Sequence, residues 1–204
     1  SPISFNNTSK MYYFESGNLL SDVPKIDLIQ STIRTEFSNG TINVLDMFVL
    51  KGKLLCFCVD EERYAFFQFN LTDFDSPEYV HYPIPNIDNF YPNCYTDGDY
   101  VYLTNNGNTN SNNFKLVKIN YDEVNAIMTN NSDISLDASF VKTTNAVITS
   151  NKLITLVNGV LDSYSLISGI KTNIATLNGV NGQLFMFNGS PYFCSGEIAQ
   201  KWIL

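Results

Sequence analysis

The sequence predicts an all-β protein, on three observations. Six of its 11 glycines follow asparagine, and Asn-Gly pairs supply the consecutive positive-φ positions of tight hairpin turns. Between the turns lie runs of five to eight residues rich in Val, Ile, Tyr, Phe, Leu and Thr, such as Tyr64–Leu71, Tyr100–Thr104 and Leu153–Val157. Runs of this length and composition are typical of strands. No stretch keeps a convincing 3.6-residue apolar period over three helical turns.

One hairpin pattern recurs five times along the chain. Each copy places a turn residue between two apolar runs, and these turn residues are Ser9, Gly52, Gly98, Asn151 and Gly189. Three positions after each turn residue come Tyr12, Leu55, Val101, Ile154 and Tyr192. Five positions after come Phe14, Phe57, Leu103, Leu156 and Cys194. Because every one of these is apolar or aromatic, the two series predict one buried face in each copy.

Further strands are predicted after each hairpin. The third strands are Lys25–Gln30, Ala65–Leu71, Lys115–Tyr121, Leu161–Ile167 and Gln200–Leu204, and fourth strands are predicted at Glu78–Pro83 and Lys171–Leu177. Units of about 40–50 residues with three or four strands are typical of a β-propeller. We therefore predict a single β-propeller domain over residues 1–204, with short blades of antiparallel strands near 1–45, 46–91, 92–140, 141–180 and 181–204. The alternative is a β-sandwich.

The repeat resembles the kelch-like propeller family. The shared features are a hairpin about a tight turn and a following strand that runs into a polar bend, as in Phe69–Asp73 and Ile119–Glu123. Single turn residues stand where kelch repeats have two glycines, and the tryptophan late in each kelch blade is missing, since the only tryptophan is Trp202. The resemblance is therefore that of a divergent propeller and not of a kelch protein. The five repeats and the 26 asparagines are also similar in style to the propeller platforms of bacteriophage receptor-binding tail proteins.

Composition excludes several function classes. The 12 Lys and Arg against 20 Asp and Glu give a net charge of −8, whereas nucleic-acid binding needs a basic surplus. One histidine excludes a His-rich metal site, and no apolar stretch reaches the ~18 residues of a membrane helix. We predict no cofactor, no metal, no nucleic-acid partner and no membrane insertion.

The four cysteines are predicted to be free thiols. Cys56 and Cys58 are two residues apart, on the same face of a strand, where they are poorly placed to bond each other. Buried free thiols, including Cys94 and Cys194, indicate folding in a reducing compartment such as a cytosol. Because Ser1 stands where a start methionine is usual, we expect a segment of a longer protein or a processed form.

Two loops are the predicted ligand-binding places. The connection from Tyr82 to Asn93 combines aromatic and amide side chains, which suit the faces and hydroxyls of sugar rings, and its predicted ligand residues are Tyr82, Asn86, Asn89, Phe90 and Tyr91. The alternative is that these aromatics pack between blades. The second loop is the polar stretch from Thr104 to Asn113, with Asn105 and Asn106 as its predicted ligand residues. It is either a binding loop or a solvated hairpin tip.

No catalytic residues are predicted. His81 has no nucleophilic serine in a strained turn beside it, so a structural role is favoured. The aspartates near blade strands are Asp46, Asp97, Asp99, Asp137 and Asp162, and spacing forces no pair of them together. Asp97 and Asp99 flank Gly98, where turn formation alone explains aspartate. The chain is therefore predicted not to be an enzyme.

The function predicted from these features is non-enzymatic recognition. We expect binding of a host-surface glycan or protein receptor, as in a phage tail receptor-binding protein, with any homo-oligomer formed through flanking segments. The expected location is the virion or cell exterior after folding in a reducing cytosol. Two alternatives stay open: a cytoplasmic kelch-like scaffold for protein partners, and a propeller enzyme that cleaves glycans.

Overall fold

The computed structural model describes residues 3–4, 11–15, 18–21, 23–38, 40–60, 63–82, 92–105, 114–149, 151–177, 182–187, 190–195 and 198–201. Within these ranges lie 18 strands and one helix, α1 (Val23–Glu36). The strands are β1 (Ile3–Ser4), β2 (Met11–Glu15), β3 (Asn18–Ser21), β4 (Asn43–Leu50), β5 (Lys53–Asp60), β6 (Arg63–Asn70), β7 (Asp73–Val80), β8 (Cys94–Thr96), β9 (Val101–Asn105), β10 (Lys115–Asp122), β11 (Ile127–Ser135), β12 (Ala146–Ile148), β13 (Lys152–Val157), β14 (Val160–Ser165), β15 (Lys171–Thr176), β16 (Gln183–Phe187), β17 (Ser190–Ser195) and β18 (Ile198–Lys201).

The strands form five sheets, and neighbours within a sheet are consecutive in the chain. We number them sheet 1 (β1–β3), sheet 2 (β4–β7), sheet 3 (β8–β11), sheet 4 (β12–β15) and sheet 5 (β16–β18). The predicted all-β fold is confirmed. The five predicted hairpins pair as Ile3 with Tyr12, Leu50 with Lys53, Thr96 with Val101, Ile148 with Leu153, and Phe187 with Ser190. No sheet closes on itself in the described ranges, and a propeller ring stays a prediction.

Positive φ values explain two tight turns, one between β13 and β14 and one in the predicted hairpin of β4 and β5. Asn158 and Gly159 have φ of 50° and 77°, the consecutive positive values that Asn-Gly pairs allow. Lys51 and Gly52 have φ of 49° and 76° between β4 and β5. Gly182, which also follows an asparagine, is constrained by packing, because a Cβ there would lie 2.1 Å from the Phe193 ring. This glycine is needed for close packing.

The chain forms two compact units. The first is Ser1–Pro85 with Asn120–Thr129, and the second is Asn86–Ile119 with Asn130–Leu204. Sheets 1 and 2 and α1 belong to the first unit, and sheets 4 and 5 belong to the second. Sheet 3 contributes residues to both, because β10 and β11 continue from one unit into the other. A single domain over residues 1–204 stays a prediction.

Helix α1 shows that the predicted strand at Lys25–Gln30 is wrong, and β3 is the third strand of sheet 1. The segment is rich in β-branched residues, which favour strands. However, Ile26, Ile29 and Ile33 recur at spacings of three and four residues, as on one face of a helix. One apolar residue per turn gives only a narrow apolar stripe, which is a weak helix signal. Packing of this stripe against the rest of the protein therefore decides that the segment is helical. The helix ends where Ser38 adopts φ of 50°, a left-handed C-terminal conformation.

The core of the first unit lies between α1 and sheet 2. Ile29 and Ile33 pack with buried residues of one sheet face, which are Met47, Leu54, Cys56, Cys58, Phe67 and Phe69. Burying one such aliphatic or aromatic side chain contributes about 1.5–3 kcal/mol. The helix also contacts the edge strand β7. Its C-terminal end is thereby fixed beside that strand, which positions the site described below.

In the second unit, sheet 4 uses alternate residues to pack on two neighbours. One face joins sheet 3 in a buried cluster that includes Tyr95, Tyr102, Leu116, Ala146, Ile148, Leu153 and Tyr164. The other face joins sheet 5 in a cluster of Val147, Ile154, Leu156, Leu161, Leu184 and Phe193. Successive sheets of this unit therefore stack face to face.

The predicted buried face is confirmed in the three middle repeats. Leu55, Phe57, Val101, Leu103, Ile154 and Leu156 are all buried, whereas Tyr192 and Cys194 are half-buried and the side chains of Tyr12 and Phe14 lie outside the described set. Cys56, Cys58 and Cys94 are buried and form no disulfide bond within the described residues, as expected. Across the part of the chain that the structure describes, no helix is long and apolar enough to span a bilayer.

Candidate functional site

Most of the predicted ligand residues lie outside the described residues. These are Asn86, Asn89, Phe90, Tyr91 and Asn106, while the backbone of Asn105 ends β9 and its side chain is not described. Tyr82 is described: it is half-buried, and its ring meets the buried Phe66 ring edge-on at 6.2 Å between centroids. This contact supports the packing role that the sequence left open for Tyr82.

Three exposed aromatic rings lie together, and we call them the aromatic strip: Phe37, which follows α1, and Tyr79 and His81, which come just before Tyr82. The ring centroids of Phe37 and Tyr79 are 6.5 Å apart, and those of Tyr79 and His81 are 5.1 Å apart. Phe37 is 39% exposed and Tyr79 is 37% exposed, and His81 is also exposed. Tyr79 and His81 share one side of the extended chain because they are two residues apart.

The strip rests on a buried ring. Phe67 of β6 is opposite Tyr79 in the strand register, and it is 2% exposed. The centroid of its ring lies 4.7 Å from that of Phe37 and 5.6 Å from that of Tyr79, and it is edge-on to both rings. Edge-on aromatic pairs contribute about 0.5–1.5 kcal/mol beyond their burial. The two exposed rings are therefore held against the core.

The backbone of His81 is fixed by a β-bridge to Ile127. The His81 amide donates to the carbonyl of Ala126, and the Met128 amide donates to the carbonyl of His81, both at 2.8 Å. Ile127 is 42% exposed. The turn between β10 and β11 thus anchors one end of the aromatic strip.

A buried amide network holds the other face of β7. Gln68 is 1% exposed; its Nε2 donates to Glu78 Oε2 at 2.6 Å and to the Glu123 carbonyl at 3.1 Å. The Tyr121 hydroxyl donates to Gln68 Oε1. Burial raises the pKa of Tyr121, as do nearby carboxylates, so the hydroxyl keeps its proton. Lys51 Nζ completes the network by donating to the Tyr121 carbonyl at 2.5 Å.

The carboxylates that the sequence singled out serve local structure. Asp97 Oδ1 accepts the amides of Asp99 and Tyr100, as a turn aspartate does. Asp162 accepts Lys171 Nζ and Asn173 Nδ2, both at 2.9 Å. Asp137 accepts the amide and hydroxyl of Ser139. Within the described ranges no three His, Cys, Asp or Glu side chains are grouped as metal ligands.

Asp46 differs from the other aspartates because it is buried in sheet 2, on the face opposite to the one that α1 covers. It is 9% exposed, and its Oδ1 accepts the Met47 amide at 2.8 Å. Burial raises the pKa of Asp46 to about 7, while the Met47 amide lowers it by less. Burial is the largest cause that raises the pKa of the Cys56 thiol, followed by the neighbouring Cys58 and then by the Asp46 carboxylate. With a pKa of about 7, the Asp46 carboxyl is protonated below neutral pH and ionises as the pH rises through that value.

The aromatic strip was not found by sequence reasoning. The alternation Tyr79, Val80, His81 signals two residues on one strand face, but it does not show which face is exposed. Phe37 is 42 positions before Tyr79 (79 − 37), and it reaches the strip only through a helix that the sequence did not predict. The structure also exposes the His81 ring, for which a structural role was favoured.

A scan of the sequence against models of known protein families finds no match. A search among curated protein sequences likewise returns no significant match.

Proposed function

We propose that the protein is a non-enzymatic recognition domain that binds a cell-surface glycan or protein receptor. The observation that carries this proposal is the aromatic strip, which keeps two aromatic rings more than a third exposed on a buried base. Grouped exposed apolar side chains typically mark interaction sites. Tyrosine is also enriched among the residues that dominate binding energy. Tyr79 and His81 of the strip directly precede the predicted aromatic and amide connection that begins at Tyr82.

The scaffold proposed for this function is a divergent kelch-like propeller of five blades. Its support is the recurrence of three or four consecutive antiparallel strands in each sheet and the face-to-face stacking of sheets 3, 4 and 5. In this proposal the exposed ends of the sheets present the binding loops, as in phage tail receptor-binding proteins. Helix α1 takes the place of a neighbouring blade where it covers sheet 2.

We further propose that the protein acts on a virion or a cell exterior after folding in a reducing cytosol. The buried free thiols support the folding compartment. The net charge of −8 makes nucleic acid an unfavourable partner. Homo-oligomer formation through flanking segments is compatible with this proposal.

A cytoplasmic scaffold for protein partners is the second candidate, and one observation favours it. Ile167 is 88% exposed and Ile170 is 64% exposed on the turn between β14 and β15. Hydrogen bonds stiffen this turn, because the Gly169 amide donates to the Ser165 carbonyl at 2.8 Å and the Ser165 amide donates to the Ile170 carbonyl at 3.1 Å. A stiff turn with two exposed isoleucines fits a protein contact.

The two candidates are separated by a binding screen. We expect the chain to bind selectively on a panel of immobilised cell-surface glycans and whole bacterial cells. Substituting Tyr79→Ala should reduce this binding at least about tenfold, a loss of roughly 1.4 kcal/mol, because Tyr79 is the central ring of the strip. Ile167→Ser is the matched control, since it removes an exposed apolar side chain elsewhere.

Two outcomes would overturn the recognition proposal. The first is no binding to any glycan or cell. The second is a stoichiometric cytosolic protein partner whose capture is lost in Ile167→Ser and unchanged in Tyr79→Ala, which would establish the scaffold function. Product release from a bound glycan would contradict the non-enzymatic part of the proposal.

A further inference from the structure

We infer that the aromatic strip is a subsite for an uncharged pyranose ring, which stacks on Tyr79 and hydrogen-bonds to the His81 imidazole and the Tyr79 hydroxyl. This inference rests on the proposed recognition function and names the ligand class of the same site.

The ring geometry offers several π faces and edges within a short distance. The Tyr79 ring is inclined by 54° to Phe37 and by 83° to His81. A ligand that rests on Tyr79 therefore meets rings at different angles on two sides. The negative π face of an aromatic ring attracts the weakly positive C–H groups that line one face of a pyranose.

The polar tips of the strip have no partner among the residues that the structure describes. No hydrogen bond reaches the Tyr79 hydroxyl or either imidazole nitrogen of His81 from that part of the chain. A neutral imidazole offers one donor and one acceptor, and a phenol offers both. Sugar hydroxyls also donate and accept, so they match these groups.

The charge around the strip selects against anionic glycans. The exposed Glu36 directly precedes Phe37, and the strip itself contains no Lys or Arg, whereas Glu78 lies on the opposite face of β7, where it accepts Gln68 Nε2. Like charges at a binding surface disfavour a partner. A glycan with carboxylate, sulfate or phosphate groups would be repelled, whereas an uncharged pyranose would not.

The strand beside the strip is also poorly suited to an extended peptide. β7 lies at the edge of sheet 2, but Pro77 in its middle has no amide to donate. Asp73, Asp75 and Glu78 add charges along the same strand. Proline and charge on an edge strand are features that block strand addition. A sugar that uses side chains fits this surface better than a peptide that needs the backbone.

The inference is tested by calorimetric titration of the full chain with two sets of oligosaccharides. One set is neutral, built from glucose, galactose, mannose or N-acetylglucosamine, and the other carries sialic or uronic acids. We expect a neutral oligosaccharide to bind, with an affinity that changes less than about twofold between about 0.05 and 0.5 M salt. Tyr79→Ala and His81→Ala should each weaken it at least about tenfold. Tyr79→Phe should weaken it less, because the ring remains.

Thermal melting of every variant checks that the variant folds. Tyr79→Leu is added because leucine still covers Phe67 but has no aromatic face; we expect it to fold and to bind as weakly as Tyr79→Ala. Neutral glycan binding that survives both Tyr79→Leu and His81→Ala overturns the subsite, as does binding of anionic glycans alone. Both results leave the recognition function standing. Failure of every glycan and every cell surface to bind overturns the two proposals together.

Discussion

Replacing Asp46 with asparagine is expected to stabilise the protein above pH 7 and to leave its stability near pH 4 almost unchanged. Asp46 lies in β4 opposite Phe57, next to a break in the strand register, and burial raises its pKa from 3.8 to about 7. Folding therefore requires either a protonated carboxyl or a desolvated charge. An asparagine amide has nearly the same shape and carries no charge at any pH.

The direction of the pH effect follows from the two pKa values of Asp46. Below 3.8 the carboxyl is protonated in both the folded and the unfolded chain, and its full contribution to stability is present. Between 3.8 and about 7 the unfolded chain releases the proton while the folded chain keeps it, so the free energy of unfolding falls as pH rises. The total loss is on the order of 4 kcal/mol, and it levels off above the folded pKa.

Urea unfolding of the wild type and Asp46→Asn between about pH 4 and 8.5 measures this effect. The difference between the two proteins should grow with pH and then level off. Asp133→Asn is the control, because Asp133 is half exposed and pairs with Lys115 at 3.8 Å, where ion pairs contribute little. A difference between wild type and Asp46→Asn that does not change with pH would contradict the burial argument.

Replacing Asn145 with alanine is expected to destabilise the second unit by about 2–4 kcal/mol. Its Nδ2 donates to the Gly182 carbonyl, and its Oδ1 accepts the Leu184 amide, both at 2.8 Å. Sheet 4 is thereby joined to the start of sheet 5. Alanine leaves the Gly182 carbonyl and the Leu184 amide without these partners, and unpaired polar groups in a packed region are costly.

The structural equivalent of Asn145 in sheet 3 makes a similar link. Asn93 Nδ2 donates to the Thr143 carbonyl at 2.7 Å, in the segment that leads into sheet 4. Side-chain amides therefore connect successive repeats of the second unit.

Thermal or urea unfolding of Asn145→Ala gives the size of this loss, and hydrogen exchange at Leu184 shows whether it is local. Asn125→Ala is the matched control, because Asn125 is exposed and its amide bonds only the nearby Asp122; its effect should stay within about 0.5 kcal/mol. Equal effects of the two substitutions would show that Asn145 does not join the repeats.

The hairpins were predictable from the sequence because their determinants are local. Asn158 and Gly159 provide the two positive φ values of their turn. Alternating apolar residues such as Ile154 and Leu156 then mark a buried strand face. Neither signal depends on residues far away in the chain.

The helix and the strip were not predictable in this way because tertiary contacts decide them. The β-branched stretch around Ile29 and Ile33 is helical because both side chains are buried against sheet 2. Phe37 follows that helix and therefore meets Tyr79 only after both elements have packed. Because the local sequence favours a helix only weakly, it did not predict α1, which positions Phe37 at one end of the aromatic strip.

Nuclear magnetic resonance titration of the isotope-labelled full chain with the tightest-binding glycan tests most directly whether recognition occurs at the aromatic strip. We expect the largest chemical-shift changes on the rings of Phe37, Tyr79 and His81, and we expect Tyr79→Leu to abolish them. Shift changes confined to the turn at Ile167 and Ile170, with the strip unaffected, would contradict this expectation.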